Sequence, residues 1–320
     1  MKRIGVLTSG GDAPGMNACV RAVVRTGAAL GMEVFGIEHG FDGLIRGDIA
    51  RLGPRDVSDT IQRGGTILKT ARSKEFRTPE GFQRAVSMAH NFKLEALVVI
   101  GGNGSLQGAL ELQAAGVPVM GLPGTIDNDL AFTDFTIGFD TAVNTALSAI
   151  SNVRDTSNSH ERTTIIDVMG RECGDIAIYA GITGGAELIL VPEVPVDLDD
   201  ICRQLIESRR RGKSSSIIIR AEGVDISSQE LDSEIARRTG LEVKTVVLGY
   251  VQRGGSPTAA DRLLASRVGN HAVALLAADI TGKAIGVQGG QVVAHDLAAA
   301  LQMPHKPMDE LVALAQTLSM

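Results

Sequence analysis

Two carboxylates set two residues apart give the chain its clearest chemical signal. Asp127 and Asp129 lie in the polar run TIDND at 125–129, which follows an apolar stretch ending at Leu122. One carboxylate could accept the proton of a substrate hydroxyl while the other holds Mg²⁺, the division of roles that phosphoryl transfer requires. Aspartate and asparagine also build turns through side-chain hydrogen bonds, so this run alone leaves turn formation open as an alternative.

Two glycine-rich loops offer backbone amides to phosphate groups. Gly10 and Gly11 follow the apolar run Ile4–Leu7, and the segment GGNGS at 101–105 follows Ala96–Ile100. Each loop precedes a helical pattern, and a glycine-rich turn that opens a helix can point N–H groups at a phosphate. Neither loop has the Walker A pattern. A tight strand-to-helix turn explains either loop taken alone.

Three arginines could supply positive charge for phosphate groups. Arg162, Arg171 and Arg253 each lie close to a polar or glycine-rich turn. The guanidinium donates hydrogen bonds in a fork that matches phosphate geometry. A single arginine is more often a solvated charge or part of a surface ion pair. The set of three nevertheless indicates a phosphorylated substrate.

The elements that must position these residues alternate along the chain. Short apolar runs recur at Ile4–Leu7, Ala96–Ile100, Val117–Leu122, Thr164–Met169, Leu188–Val191, Ser216–Ile219 and Val246–Leu248. Helical patterns occur at 16–30, 80–92, 104–115, 139–153, 197–211, 228–239 and 258–278. This alternation predicts an α/β fold with βαβ units and mostly parallel, buried sheets. Ligands of such sheets bind at the carboxyl ends of the strands, where the loops described above begin.

Composition excludes several classes of partner. The chain has 320 residues, enough for two lobes, and its 31 basic and 37 acidic residues give a net charge of −6. No overall basic surface would attract nucleic acid or an anionic membrane, and no apolar run has the length of a membrane span or a signal peptide. Cys19, Cys173 and Cys202 are widely spaced and form no CxxC pair, which favours reduced, buried thiols in a cytoplasmic protein.

Four separated motifs carry a resemblance to a known family. They are GGDAPGMNA (10–18), PGTIDND (123–129), MGRECGD (169–175) and QRGGSP (252–257). With these motifs in this order, the chain resembles bacterial-type ATP-dependent 6-phosphofructokinase over essentially its whole length. The resemblance implies a glycolytic kinase that transfers the γ-phosphoryl group of MgATP to the 1-hydroxyl of D-fructose 6-phosphate, giving fructose 1,6-bisphosphate and ADP. It also implies a cytoplasmic homotetramer in which neighbouring subunits complete each other's sites.

The same resemblance implies how the lobes are divided. We expect the phosphofructokinase fold, with two Rossmann-like lobes, mostly parallel sheets and the active site in the cleft between the lobes. The ATP-binding lobe would contain residues 1–138 and 251–300. The fructose 6-phosphate-binding lobe would contain residues 139–250 and 301–320.

Catalytic and nucleotide roles follow from the positions that match the family. Asp127 resembles the catalytic base, Thr125 and Arg171 would stabilise the transferring phosphoryl group, and Asp129 and Asn103 match the metal positions. The nucleotide positions are Gly11, Arg72, Ser73, Gly102, Asn103, Gly104 and Ser105.

Sugar-phosphate and effector roles follow in the same way. The sugar-phosphate positions are Arg162, Met169, Gly170, Arg171, Glu222, Lys244, Tyr250 and Arg253. Of these, Arg162 and Lys244 would reach into the site of a neighbouring subunit. The positions of an effector site for ADP or phosphoenolpyruvate are Arg21, Arg25, Arg55, Arg154, Gly185, Glu187, Arg211 and Lys213. Without the resemblance, this second set would be read as solvated helix charges.

Two glycines bear on the identity of the phosphoryl donor. Gly104 and Gly124 match the ATP-using branch, whereas the pyrophosphate-using branch resembles GGDDT and PKTIDND at these places. A larger or charged side chain there would narrow the nucleotide pocket and favour a smaller donor. ATP is therefore the expected donor.

Departures from the family pattern fall at ligand positions. Asn103 stands where GGDGS has aspartate, which should weaken Mg²⁺ binding because Mg²⁺ relies on one or two carboxylates. Tyr250 stands where the family has histidine, and Lys244 replaces an arginine and loses bidentate geometry. Pro54 replaces an arginine of the effector site, where Arg55 could substitute. We expect an active kinase that is impaired or altered.

Two other functions stay open at this point. The chain could be a weakly catalytic or non-catalytic paralogue that binds nucleotide and regulates a partner subunit, as Asn103 would suggest. It could instead phosphorylate another sugar phosphate, which Tyr250 and Lys244 would permit. The intact Asp127 and Arg171 favour the enzyme.

Overall fold

The chain folds into two units. The computed structural model describes residues 2–305 and 308–318, so positions 1, 306, 307, 319 and 320 of the predicted lobes lie outside the described residues. One unit contains residues 2–141 and 253–305, and the other contains residues 142–252 and 308–318. Residues 301–305 therefore lie in the first unit rather than with the segment 308–318. The assignment of each lobe to a ligand stays a prediction, because packing alone does not identify a ligand.

Twelve strands and eleven α-helices are assigned within the described residues. The first part of the chain forms β1 (Arg3–Ser9), α1 (Met16–Ala29), β2 (Glu33–Ile37), α2 (Gly40–Arg46), β3 (Ile49–Leu52), α3 (Pro79–Asn91), β4 (Ala96–Gly101), α4 (Asn103–Ala114), β5 (Val119–Thr125) and β6 (Ile137–Gly138). The middle part forms α5 (Phe139–Ser159), β7 (Thr163–Val168), α6 (Asp175–Gly184), β8 (Leu188–Leu190), α7 (Leu198–Arg210), β9 (Ser216–Ala221), α8 (Ser228–Thr239) and β10 (Val243–Val247). The last part forms α9 (Ala259–Ala277), β11 (Lys283–Gln288), β12 (Gln291–Asp296), α10 (Leu297–Ala300) and α11 (Asp309–Leu318).

An eight-stranded sheet organises the first unit. Its order is β12-β11-β5-β4-β1-β2-β3, with β6 paired to β5. The edge strands β3 and β12 are antiparallel to their neighbours, and the other pairs are parallel. Apolar side chains such as Leu7, Leu97, Leu106 and Leu112 are fully buried in its core. The almost continuous apolar runs of β1 and β4 reflect this burial on both faces.

A four-stranded parallel sheet organises the second unit. Its order is β10-β7-β9-β8, so β10 and β8 are the edge strands. Ile165 and Ile218 of the central strands pack with Leu231 and Ile235 of α8. The polar start of α7 is held by Asp197, whose carboxylate accepts hydrogen bonds from the N–H groups of residues 199 and 200.

The predicted α/β class with mostly parallel sheets is confirmed. Each of the seven predicted apolar runs overlaps a strand, and each of the seven predicted helices overlaps an α-helix. The strands β2, β3, β6, β11 and β12 and the helices α2, α6, α10 and α11 were not predicted. In α6 apolar residues occupy nearly the whole circumference, so no amphipathic stripe marks it as a helix. None of the described helices combines the length and apolar composition needed to span a bilayer.

Candidate active site

Three strand ends bring the predicted chemistry of the first unit together. In the register of the sheet, Ser9 of β1 pairs with Gly101 of β4, and Gly101 pairs with Pro123 of β5. The loops that follow these strands therefore start side by side at one edge of the sheet. Ser105 is buried, and a Cβ added at Gly10 would lie 3.1 Å from its hydroxyl oxygen, so the two glycine-rich loops adjoin.

The N-terminus of α4 has the features of helix ends that bind anions. Gly102 is its extended N-cap and has no side chain to cap the helix, and no acidic residue occupies the first turn. The first amides of a helix have no intrahelical acceptor, so those of Asn103 and Gly104 are available to a ligand. Both residues are exposed. This geometry fits their predicted role at the nucleotide phosphates.

The segment that carries the two carboxylates is fixed by its own hydrogen bonds. The Asp127 N–H donates to Thr125 Oγ1 at 3.1 Å, and the Thr136 hydroxyl donates to the Thr125 carbonyl at 2.6 Å. Asn128 has a left-handed backbone (φ 57°), and its side-chain oxygen accepts from the Thr136 N–H at 2.9 Å. Asn128 thus forms the turn, while Asp127 is only 2% exposed and Asp129 is half-buried.

A buried aspartate braces the chain just beyond this segment. Asp261 at the start of α9 accepts hydrogen bonds from Gly138 N (2.8 Å), Thr141 N (2.8 Å) and Thr141 Oγ1 (2.5 Å). Burial raises the pKa of Asp261, and the three donors act in the opposite direction. Sequence reasoning missed Asp261, since nothing near it in the chain signals partners more than a hundred residues away.

Arg253 lies against the first glycine-rich loop. Its Nη1 donates to the Asp12 carbonyl at 3.4 Å, and a Cβ added at Gly11 would collide with its guanidinium. The structure therefore places this predicted sugar-phosphate residue in the first unit, beside the nucleotide position Gly11. A phosphate bound at this loop would meet the positive charge of Arg253.

An irregular segment, residues 53–74, carries Arg72 and Ser73 to the same edge. The Thr70 hydroxyl donates to the Gly10 carbonyl at 2.9 Å, which ties this segment to the loop after β1. Arg72 is exposed, whereas the Ser73 hydroxyl accepts from the Phe76 N–H at 3.0 Å. Ser73 therefore has a structural bond in addition to its predicted role.

Asn17 is the anchor of this segment that sequence reasoning missed. It is buried in α1, and its Nδ2 donates to the carbonyls of Arg63 (3.0 Å) and Gly64 (3.1 Å). Its Oδ1 accepts from the Ile67 N–H at 2.7 Å. Both the NH₂ group and the oxygen of the Asn17 amide thus bond to backbone groups of the irregular segment 53–74. Asparagine inside a helical pattern next to a glycine loop was the available signal.

Gly104 and Gly124 differ in what surrounds them. A Cβ added at Gly104 would meet no atom within 4 Å, which fits the expectation that glycine leaves room for a ligand there. A Cβ added at Gly124 would lie 2.9 Å from Ile100 Cγ2 and 3.1 Å from Met16 Cε. Packing inside the protein therefore also favours glycine at 124, and Gly104 is the clearer support for the donor argument.

In the second unit, several predicted sugar-phosphate residues gather at the carboxyl end of β7. The Arg171 N–H donates to Glu222 Oε1 at 2.8 Å, and the Met169 N–H donates to Gln252 Oε1 at 3.2 Å. Gln252 also donates to the Gly249 carbonyl at 3.1 Å, which ties it to the turn bearing Tyr250. Tyr250 is 83% exposed. Gly170, with φ 139°, lets the chain turn sharply before Arg171.

Arg162 and Lys244 lie at the opposite end of the same sheet. Arg162 precedes β7, and Lys244 pairs with Thr164 at the beginning of that strand. Their cationic groups share Glu242 Oε1, at 4.0 Å from Arg162 Nη1 and 3.5 Å from Lys244 Nζ. A strand of six residues separates them from Arg171, which corresponds to about 20 Å. The structure thus divides the predicted sugar-phosphate residues of this unit into two groups.

Part of the predicted effector site is also assembled in the second unit. Glu187 is buried, and its Oε1 lies 3.7 Å from Arg154 Nη1 and pairs with Lys213 Nζ. Arg154 Nη2 donates to the Gly185 carbonyl at 2.7 Å. Arg211, nearby in sequence, faces Glu207 at 4.0 Å.

The remaining effector positions belong to the first unit. Arg21 and Arg25 lie on α1, four residues apart, and Arg55 is exposed in the irregular segment 53–74. Asn17 lies four residues before Arg21 on the same helix and holds that segment. Effector positions on α1 and on the segment are therefore linked within this unit.

Sequence comparison places the chain among known proteins. Residues 3–276 match the phosphofructokinase family. The ATP-dependent 6-phosphofructokinase of Clostridium tetani is 53% identical over 319 residues, which covers 100% of both chains. The protein of the same name from Alkaliphilus metalliredigens is 52% identical over 319 residues, with the same coverage.

Solved structures show the same likeness. A phosphofructokinase from Saccharomyces cerevisiae superposes with a TM-score of 0.89 at 34% identity, covering 100% of this chain. The chain spans only 47% of that yeast polypeptide. A pyrophosphate-dependent phosphofructokinase from Marinobacter aquaeolei superposes with a TM-score of 0.86 at 22% identity, covering 97% of this chain and 86% of the other. At that identity the likeness concerns the fold alone.

Proposed function

Since the chain belongs to the phosphofructokinase family, we propose that it transfers the γ-phosphoryl group of ATP to the 1-hydroxyl of D-fructose 6-phosphate. The products are fructose 1,6-bisphosphate and ADP. The observation that carries the proposal is the common sheet edge at which the phosphate loops and the Asp127 segment begin. Full-length relatives named ATP-dependent 6-phosphofructokinase support ATP as the donor.

Asp127 is the proposed general base. Its carboxylate takes the proton of the 1-hydroxyl as that oxygen bonds to the γ-phosphorus, and the bond to the β,γ-bridging oxygen breaks to release ADP. Thr125 Oγ1 already accepts the Asp127 N–H, so its own O–H can be donated to the transferring phosphoryl group. Arg171 would contribute a guanidinium to the same oxygens.

Magnesium fits the oxygen donors at the two predicted metal positions. Asp129 offers a half-buried carboxylate, and Asn103 offers an exposed amide oxygen at the first residue of α4. Mg²⁺ accepts one carboxylate and completes its shell with water and phosphate oxygens. We assign Asp129 as the main protein ligand and Asn103 as a weaker one. When bound, the ion would neutralise charge on the β- and γ-phosphates.

The predicted sugar-phosphate residues lie in two groups at opposite ends of β7, which supports a binding site shared between subunits. Arg162 and Lys244 lie about 20 Å from Arg171 along β7 and cannot serve the same ligand within one chain. The buried Arg162 Nε also has no hydrogen-bond acceptor among the described residues. These two cations would therefore bind the 6-phosphate of a neighbouring copy's substrate, in the proposed homotetramer.

Regulation and location remain parts of the proposal. The cluster of Arg154, Gly185, Glu187 and Lys213 supports an effector site for ADP or phosphoenolpyruvate, completed by Arg21, Arg25, Arg55 and Arg211. We propose a cytoplasmic enzyme, in keeping with its three widely spaced cysteines, all of them buried. The comparisons do not favour a regulatory paralogue without catalysis or a kinase of another sugar phosphate.

The decisive assay measures ADP formation from MgATP with a panel of acceptors. Fructose 6-phosphate should be phosphorylated at saturating MgATP, whereas fructose 1-phosphate, whose 1-hydroxyl is blocked, should not. Turnover with only a different sugar phosphate would replace the acceptor in this proposal. The absence of turnover with every sugar phosphate would support the regulatory alternative instead.

A further inference from the structure

A buried ion pair links the two central strands of the second unit. Asp167 of β7 and Arg220 of β9 are paired in register, and Arg220 Nη1 donates to Asp167 Oδ2 at 2.7 Å. Arg220 is only 5% exposed, and Asp167 is also buried. The Ser228 hydroxyl donates to the same Asp167 oxygen. Such a pair needs further hydrogen bonds to offset the loss of water around both charges.

The other donors of Arg220 hold the segment 222–226, which follows β9. Its Nε donates to the Ile226 carbonyl at 2.7 Å, and its Nη2 donates to the Val224 carbonyl at 2.9 Å. A planar guanidinium fixes the direction of its donors, so the two carbonyls are held at set positions relative to β7. This segment contains no helix or strand, and its backbone is also tied to β7 by the Glu222 N–H, which donates to the Val168 carbonyl at 2.9 Å.

The segment 222–226 in turn holds the backbone of Arg171. Glu222 Oε1 accepts the Arg171 N–H at 2.8 Å, and a Cβ added at Gly223 would collide with the Arg171 carbonyl oxygen. Arg171 has a left-handed backbone (φ 57°), a conformation that is uncommon for residues other than glycine and needs support from its surroundings. Support from Arg220 therefore reaches Arg171 through Glu222 and Gly223.

We propose that Arg220, neutralised by Asp167, is a positioning residue that sets the conformation of Glu222 and Arg171 for the sugar phosphate. This inference rests on the proposed function of those two residues. Arg220 itself is too buried to touch substrate. Its guanidinium is needed because three different nitrogens donate at once, Nη1 to Asp167, Nε to the Ile226 carbonyl and Nη2 to the Val224 carbonyl.

Replacing the pair by apolar residues distinguishes a positioning role from a purely stabilising one. Exchanging a buried pair for apolar side chains of similar volume is often neutral for stability. The double variant Asp167→Leu/Arg220→Met should therefore fold, but it leaves the carbonyls of Val224 and Ile226 without their donor. Arg220→Lys, which keeps the charge but not the fork, is the second variant. The matched control is Arg237→Gln/Glu234→Gln, which removes an ion pair on α8 between the exposed Arg237 and the half-buried Glu234.

The first readout needs no substrate. Amide hydrogen exchange of residues 169–173 and 222–226 should become about tenfold faster in the double variant, as expected for the loss of one or two hydrogen bonds. Exchange in β1 and β4 of the first unit and in the control variant should stay unchanged. Unchanged exchange at 169–173 in both Arg220 variants would overturn the positioning role.

The second readout separates the two substrates. In the double variant, KM for fructose 6-phosphate should rise about tenfold or more, while KM for ATP should match that of the wild type. Recovery of both thermal stability and wild-type KM in the double variant would show that the pair only stabilises the fold. If the unaltered protein does not turn over fructose 6-phosphate, the proposed function fails, and hydrogen exchange still decides the positioning role.

Discussion

At the scale of single residues, Thr125 is the side chain whose role is most sharply defined by one hydrogen bond. Because Thr125 Oγ1 accepts the Asp127 N–H, the O–H can still be donated, and in the proposed mechanism it is donated to the transferring phosphoryl group. Thr125→Val removes that donor and should lower kcat about 100-fold. Thr125→Ser keeps the hydroxyl and should retain most of the activity. Steady-state kinetics of the two variants provide the check, and equal rates would contradict this role.

A substitution at Asn103 tests its assignment as the weaker metal ligand. Asn103→Asp adds a carboxylate at the N-terminus of α4, so we expect KM for MgATP to fall about tenfold through tighter Mg²⁺ binding. Gln107→Glu adds the same charge one turn further along the exposed surface of α4 and should leave KM unchanged. A fall in KM in both variants would mean that general charge, rather than metal ligation, is responsible.

The cysteines provide a test of burial. Burial raises the pKa of the Cys19 and Cys202 thiols above the ordinary value, so little of the reactive thiolate forms near neutral pH. We expect iodoacetamide at pH 8 to leave Cys19 unmodified in the folded protein and to modify it readily in denaturant. Mass spectrometry of the labelled peptides measures both reactions. Rapid labelling of folded Cys19 would contradict its position in the core.

At the scale of elements, the sequence predicts the strands that lead into the candidate site better than it predicts the tertiary contacts around those strands. The strand-to-glycine-to-helix pattern identified β1, β4 and their loops, because buried parallel strands are continuous apolar runs. The hairpin of β11 and β12 was missed although Gly289 and Gly290, both with positive φ, form its two-residue turn. A Gly-Gly pair between short apolar runs is a recognised hairpin signal.

Long-range polar contacts could not be predicted from local pattern. Asp261 looks like an ordinary helix residue, and the asparagine at position 17 signals a polar contact but not its partner, because only tertiary structure brings Gly138 and Ile67 to these two side chains. The separation of Arg162 from Arg171 was implied by the family resemblance, but its physical cause is visible only in the register of β7. Asn128 forms the turn of TIDND, and the proposed base Asp127 lies beside it in the same segment, so turn formation does not argue against a catalytic role.

Asn17 yields a prediction about the irregular segment 53–74. In Asn17→Asp, a carboxylate oxygen replaces Nδ2 and faces the carbonyls of Arg63 and Gly64, so we expect a loss of about 1 to 3 kcal/mol in the free energy of unfolding. KM for ATP should rise as well, because the segment carries Arg72. Asn270→Asp, at an exposed asparagine of α9, is the matched control. Chemical denaturation measures the free energy of unfolding. An unchanged value in Asn17→Asp would show that Asn17 is not needed to hold the segment.

At the scale of the whole molecule, the proposed assembly predicts complementation between inactive variants. Asp127→Ala removes the proposed base, and Arg162→Ala removes a cation that would serve a neighbouring copy. In hybrids of the two, a site can combine an intact Asp127 from one copy with an intact Arg162 from the next. Random mixing should restore roughly a quarter of wild-type sites in a symmetric oligomer. Steady-state assays before and after mixed refolding measure this recovery.

The contrary outcome of that mixing experiment is equally informative. If Arg162 served the site of its own chain, no combination of the two variants would contain an intact site, and the mixture would stay inactive. Mixing Asp127→Ala with Thr125→Val is the control, since both changes affect the same chain's site. Recovery in that control would point to a contaminating activity.

The most direct test of the central claim follows the phosphoryl group itself. Phosphorus NMR of wild-type protein with MgATP and fructose 6-phosphate should show loss of the γ-phosphoryl signal and a new phosphate ester on the 1-carbon of the sugar. Asp127→Asn, which cannot accept the hydroxyl proton, should react about a thousandfold more slowly. If the sugar stays unphosphorylated with the wild-type protein, or if Asp127→Asn transfers the group at the wild-type rate, the proposed mechanism is contradicted.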